Sequence, residues 1–163
     1  MDRVYQHTRN AILMGEYAPG FPLRVQALAT LNDVSTIPVR EALRRLEAER
    51  LIESVANKGA RVAELSFPDL ADAYRIRTIL EVEAVRLAFP RLEPADLETA
   101  RALKEEMTRL FEEDRIHEAH ETHRKLHFLI YEKTDSTWLL HIIRALWDHT
   151  ERYRSTRNAM GRR

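Results

Sequence analysis

Apolar positions recur with a helical period along most of the chain, and the places where the period fails divide it. Val4, Thr8, Ala11 and Ile12 fall on one stripe and predict a helix over 3–14, with Gly15 as its stop. The stretch Gly15-Glu16-Tyr17-Ala18-Pro19-Gly20 is turn material, because Pro19 fixes φ and Gly20 permits positive φ. A short helix over 24–31 would bury Val25, Leu28 and Ala29. Asn32-Asp33-Val34-Ser35 reads as a tight turn, with Ser35 as N-cap of a third helix over 36–49. In that helix Val39, Ala42, Leu43 and Leu46 follow i, i+3, i+4, i+7 and must face a core.

After Leu51 the period changes. Residues 51–55 and 60–64 flank Ala56-Asn57-Lys58-Gly59, the pattern of a β-hairpin with a basic tip. Three helices followed by a hairpin is the order of a winged helix-turn-helix. From Ser66 on the pattern is helical again, with Ser66 as a cap and Pro68 just inside the first turn. Helices are expected over 66–89, 95–113, 115–133 and 137–157, separated by Pro90 and Pro94 and by the turn Thr134-Asp135-Ser136. Trp138, Leu139, Ile142, Leu146 and Tyr153 define the apolar stripe expected of the last helix, and His149 falls within it. The fold class is therefore mainly α: a winged helix-turn-helix domain with a small β-hairpin over 1–65, then an all-α antiparallel bundle over 66–163.

Composition narrows the chemistry. The 163 residues contain no cysteine, which excludes disulfides, thiol catalysis and a thiolate zinc site. No apolar stretch approaches a membrane span and Met1-Asp2-Arg3 lacks the core of a signal peptide, so a cytoplasmic protein is expected. Cations and acids balance at 26 each, so any affinity for a polyanion must come from local placement.

The third helix supplies such a placement. Thr36, Arg40, Arg44 and Glu47 share a face roughly 130° from the apolar stripe, so Arg40 and Arg44 project together from its first half. A guanidinium forks onto guanine O6 and N7 in the major groove, a fit lysine cannot reproduce. Ser35 and the helix N-terminus can take a phosphate through backbone N–H groups. Lys58 is placed to meet the DNA backbone or a minor groove, and Gly59 allows close approach. Spacing alone also admits a solvated face, with Glu41, Glu47 and Glu49 near both arginines.

Several words of sequence carry a resemblance. Gly15-Glu16-Tyr17-Ala18-Pro19-Gly20, Leu28-Ala29, Val34-Ser35, Pro38-Val39-Arg40-Glu41-Ala42-Leu43 and Leu46-Glu47 resemble the N-terminal signature of GntR-type bacterial transcription regulators, and Asn57-Lys58-Gly59-Ala60-Arg61-Val62 resembles that family's wing. The resemblance places Arg40, Arg44 and the Lys58-Gly59 tip at DNA-contact positions. Thr36 stands where the family commonly has arginine, and Ile37 where it has a smaller polar residue. Asp69-Leu70, Tyr74, Arg77, Leu80-Glu81 and Leu87-Ala88 resemble the opening helix of the FadR-like (FCD-type) effector domain. That implies a homodimer on a double-stranded DNA operator, tuned by a small-molecule effector such as an organic acid. The domain continues in the family through further helices, so the bundle is expected to be incomplete at its C-terminus.

Histidines form the second candidate site. His123 and His127 lie one turn apart on a side shared with Ile116, Ala119, Leu126 and Ile130, a spacing that can chelate a divalent metal such as zinc and equally suits hydrogen-bonded core histidines. FadR-like domains often hold a metal with an Asp or Asn, a His one turn later and two later histidines. Leu126-His127 resembles the family's aromatic–histidine pair, His123 occupies the Asp or Asn position, and His149 is a substitute third ligand. Two alternatives to a metabolite-responsive regulator stay open: a metal-dependent enzyme on the histidine-rich helix, and a truncated, constitutive DNA binder without sensing. No HExxH or nucleophile–base pair supports the enzyme.

Overall fold

The computed structural model describes residues 2–55 and 59–160; the side chains of Asp2, Val55 and 155–160 are outside that description. The helices are α1 (Asp2–Leu13), α2 (Val25–Asn32), α3 (Thr36–Ala48), α4 (Phe67–Ala88), α5 (Pro94–Glu112), α6 (Ile116–Tyr131) and α7 (Thr137–Met160). The strands are β1 (Pro22–Leu23), β2 (Ile52–Val55) and β3 (Gly59–Val62). Residues up to Arg75 together with those from Ala145 onward form one compact unit, and Ile76–Arg144 forms the other.

The first unit is built on the stripes read from the sequence. Val4 and Ile12 of α1, Leu28 and Ala29 of α2, and Val39, Ala42, Leu43 and Leu46 of α3 all belong to one buried cluster. Leu23, Leu51, Ile52 and Val62 complete it from the sheet. Burying a side chain of this size stabilises by roughly 1.5–3 kcal/mol, so the cluster holds three short helices that would not persist alone. The helices end where backbone chirality allows, with Asp33 at φ 52° after α2 and Arg50 at φ 57° after α3.

The hairpin expected over 51–64 is part of a three-stranded antiparallel sheet in the order β1-β3-β2. β2 pairs with β3 through Ile52↔Val62 to Val55↔Gly59, and β1 adds Pro22↔Arg61 and Leu23↔Ala60. Two residues, the first of them Pro22, carry too little alternation to announce a strand. Gly20 seats this edge: it sits at φ 78°, its N–H donates to Val62 O at 2.9 Å, and a Cβ there would lie 2.8 Å from Glu64 Oε1.

In the second unit α5 and α6 form a helical hairpin. Glu93 and Asp96 make a reciprocal capping box at the start of α5. Lys133 Nζ lies 2.7 Å from Asp96 Oδ2, and Arg91 Nη1 donates to Thr134 O at 2.9 Å.

The stripe expected of α7 is corrected. Trp138 is 76% exposed and Ile142 42%, whereas Ile143 and Trp147 are fully buried. Between Trp138 and Trp147 apolar residues fall on adjacent positions, so the period there fits two faces one residue apart and burial marks the second.

Candidate nucleic-acid interface and histidine pair

On α3 the buried side faces the core and the opposite side is open. Arg40 and Arg44 are exposed, Thr36 is half-buried, and Ile37 at the helix start is 69% exposed. Arg44 Nη1 donates to Glu41 Oε1 at 2.9 Å, while Arg40 makes no ion pair among the described residues. Ser35 occupies the N-cap position with extended backbone, but its side chain accepts no capping hydrogen bond. The first-turn N–H groups of α3 are thus not claimed by that hydroxyl.

The hairpin rises beside this helix in sequence and in contact, since Glu47 Oε1 of α3 accepts from Ser54 N of β2 at 3.1 Å. Gly59 opens β3 at φ 87°, the left-handed region that side chains avoid, and a Cβ there would meet only Leu23 O at an ordinary 3.7 Å. Backbone conformation, not space, calls for the glycine. Lys58 lies outside the described residues. Arg61, next to this tip, is exposed and pairs with Glu53 across the ladder at 3.1 Å. Alternation along Gly59-Ala60-Arg61-Val62 already marks Arg61 as outward, a signal the hairpin reading did not use.

His123 and His127 meet on α6, their Nε2 atoms 3.0 Å apart. His127 Nδ1 in turn lies 2.8 Å from Tyr131 Oη, so the three side chains form one hydrogen-bonded run along α6. Burial, then the Arg77 charge, lowers the His127 pKa below its ordinary value. Burial, reinforced by Glu81, raises that of Tyr131. Arg77 closes the network on Glu81 Oε1 through Nε at 3.0 Å and Nη2 at 2.7 Å, the ion pair read from their spacing.

His149 has other partners. Its Nε2 lies 2.6 Å from Asp69 Oδ2, and Tyr153 Oη donates to the same oxygen at 2.8 Å. Among the described residues no group of three or more histidine or carboxylate side chains is arranged to hold a metal ion. The pair alone offers two imidazole donors, and Tyr131 holds the outer nitrogen of one of them, as partners of ligand histidines do.

Comparison with known proteins decides what this arrangement belongs to. Residues 1–62 match the bacterial regulatory proteins of the gntR family, and residues 72–163 match the FCD domain. The chain is a GntR-family regulator. The HTH-type transcriptional repressor GlaR of Escherichia coli K12 is 32% identical over 154 residues, covering 92% of this chain and 70% of GlaR. The E. coli HTH-type transcriptional regulator McbR is 29% identical over 145 residues, covering 89% of this chain and 66% of McbR. The solved structure of E. coli McbR/YncC superposes with a TM-score of 0.78 at 28% identity, covering 92% of this chain and 71% of that one. These relatives and families are transcriptional regulators and not enzymes, which removes the enzyme reading of the histidine-rich helix. GntR regulators are DNA-binding proteins, and no helix among this chain's described residues is long and apolar enough to cross a membrane.

Proposed function

We propose that this GntR regulator reads a specific DNA operator by placing α3 in the major groove, and that its FCD domain takes up a small metabolite that alters this binding. The observation that carries the reading is the exposed Arg40–Arg44 pair on a helix whose other face is locked into the core. Arg40 and Arg44 face base edges, Ser35, Thr36 and the N-terminus of α3 take a phosphate, and Lys58 and Gly59 bring the wing to the backbone. The GlaR repressor, whose likeness spans most of this chain, favours repression as the mode.

A symmetric dimer fits the half-site logic of such helices. Support comes from α4, where Ile76, Ile79, Val82 and Val85 recur every third position and are all exposed, an apolar row that a second copy would cover. The metabolite is taken to be an organic acid. A divalent metal such as zinc, held in part by His123 and His127, would supply a Lewis-acidic anchor for its carboxylate. Division of labour follows the reading of 1–65 as the DNA-binding domain and 66–163 as the sensing and dimerising domain.

The test is selection of duplexes from a random pool, followed by titration of the selected duplex at several salt concentrations. Arg40→Ala is expected to weaken selective binding by about 1–3 kcal/mol. Arg44→Ala should weaken it less, because free Arg44 already spends an exposed pair with Glu41 worth at most about 1 kcal/mol. Selected and scrambled duplexes binding alike, or indifference to both substitutions, defeats the proposal. Addition of organic acids with and without zinc, read as a change in duplex affinity, tests the sensing half.

A further inference from the structure

The last helix contributes to the DNA-binding unit in a way its sequence did not announce. From Ala145 onward α7 lies in the first compact unit, and Arg152 is 2% exposed within it. Its guanidinium donates twice to backbone carbonyls, through Nη1 to Arg50 O at 3.2 Å and through Nη2 to Ala63 O at 2.6 Å. Arg50 is the left-handed residue that terminates α3, and Ala63 follows directly on β3. One planar fork therefore joins the end of the helix that enters the groove to the base of the wing.

Two further contacts hold α7 in place around this fork. Asp148 pairs with Arg9 of α1, which also reaches Glu49 Oε2 at 3.0 Å. Asp69 collects His149 and Tyr153, whose hydroxyl in turn accepts from Ser66 N at 3.2 Å. Burial lowers the Arg152 pKa, and among the described residues its hydrogen-bond partners are the two carbonyls. A buried charge committed to two main-chain oxygens on different elements fixes their separation, because the guanidinium is rigid and planar.

We infer that Arg152 is a positioning residue for DNA recognition, clipping α3 to the wing so that both meet the duplex in register. The inference rests on α3 and the wing being the DNA-reading surface. It adds that this surface is set by a residue about a hundred positions away on α7.

Full-length Arg152→Met and Arg152→Lys are compared with wild type on the selected duplex and on a scrambled one, at a temperature where each variant is folded. Loss of folded protein lowers both affinities equally, whereas misplacement lowers their ratio. Arg152→Met is expected to lower the selected-to-scrambled ratio by about tenfold, the scale of one misplaced base contact, and Arg152→Lys to recover part of it. An unchanged ratio in Arg152→Met overturns the inference whatever happens to stability. Should Arg152→Met not fold, Arg152→Lys decides: a ratio lowered about threefold or more sustains the clip, and a wild-type ratio overturns it. Arg40→Ala in parallel separates the two ideas. If it abolishes selectivity while the Arg152 variants keep theirs, the clip fails and the interface stands; if it changes nothing, the interface itself fails.

Discussion

The Arg77–Glu81 pair offers the sharpest test of how the second unit is held. Arg77 keeps only 9% of its side chain exposed and Glu81 20%, and the two hydrogen bonds between them are 3.0 and 2.7 Å. Replacing Glu81 by leucine leaves a buried guanidinium without its counter-charge, which costs about 3–5 kcal/mol; the partial exposure of Glu81 argues for the lower end. For a chain of 163 residues, about 3 kcal/mol corresponds to a Tm lower by roughly 6–12 °C. Arg77→Met strands the carboxylate instead and should cost a similar amount. The double variant Arg77→Met/Glu81→Leu removes both charges and keeps the volume, so it should return to within about 1 kcal/mol of wild type. Tyr131 keeps His127 Nδ1 at 2.8 Å as its partner, the neutral imidazole accepting the hydroxyl hydrogen there once Glu81 is gone. Thermal and urea unfolding followed by far-UV circular dichroism measure all four corners of this cycle. Single-variant losses that simply add in the double variant would refute the reasoning, because they would mean that the two groups do not compensate one another.

His127, whose pKa is lowered below 6.5, makes folding favour the neutral ring; the unfolded chain takes the proton first as pH falls. Stability is then complete above about pH 6.5 and declines below it, so the drop in Tm between pH 7.5 and 5.5 should be smaller in His127→Gln than in wild type; parallel curves would count against this. Burial pushes the Asp69 carboxyl up, but hydrogen bonds from Tyr153 and His149 outweigh it and hold the pKa below the ordinary 3.8. Its contribution is present above that value and disappears as pH falls below it, so Asp69→Asn should make acid unfolding less steep in that range, as read by tryptophan fluorescence. Gly20→Ala combines a φ of 78° with a contact of 2.8 Å to Glu64 Oε1 and should destabilise by about 1–2 kcal/mol. Removing Glu64 by Glu64→Ala relieves the contact only, so an unchanged penalty in the pair assigns the cost to backbone strain.

The winged half of the fold was legible because each short helix has one polar and one apolar face, so period, caps and core agreed at Val39, Ala42, Leu43 and Leu46. β1 was not, because Pro22-Leu23 becomes a strand only when β3 lies beside it. The last helix misled for the opposite reason: with Trp138, Leu139, Ile142, Ile143, Leu146 and Trp147 all apolar, no phase is preferred until neighbours pack. The arginine pair of α3 needed only local geometry. The network from Arg77 to His123 needed two helices far apart in sequence, and only its i, i+4 pairs were visible beforehand. Arg152 was hidden most completely, since a guanidinium in a charged C-terminal stretch looks solvated until the carbonyls it serves are known.

The double commitment of Arg152 bears on how such regulators can be recombined. A graft that joins residues 1–65 to a foreign sensor leaves the carbonyls of Arg50 and Ala63 without their donor. The incoming sensor would have to present an equivalent cation at the matching height of its own last helix. Swapped chimeras also lose the Asp148 partner of Arg9, and restoring an arginine at the Arg152 position is the first repair to attempt.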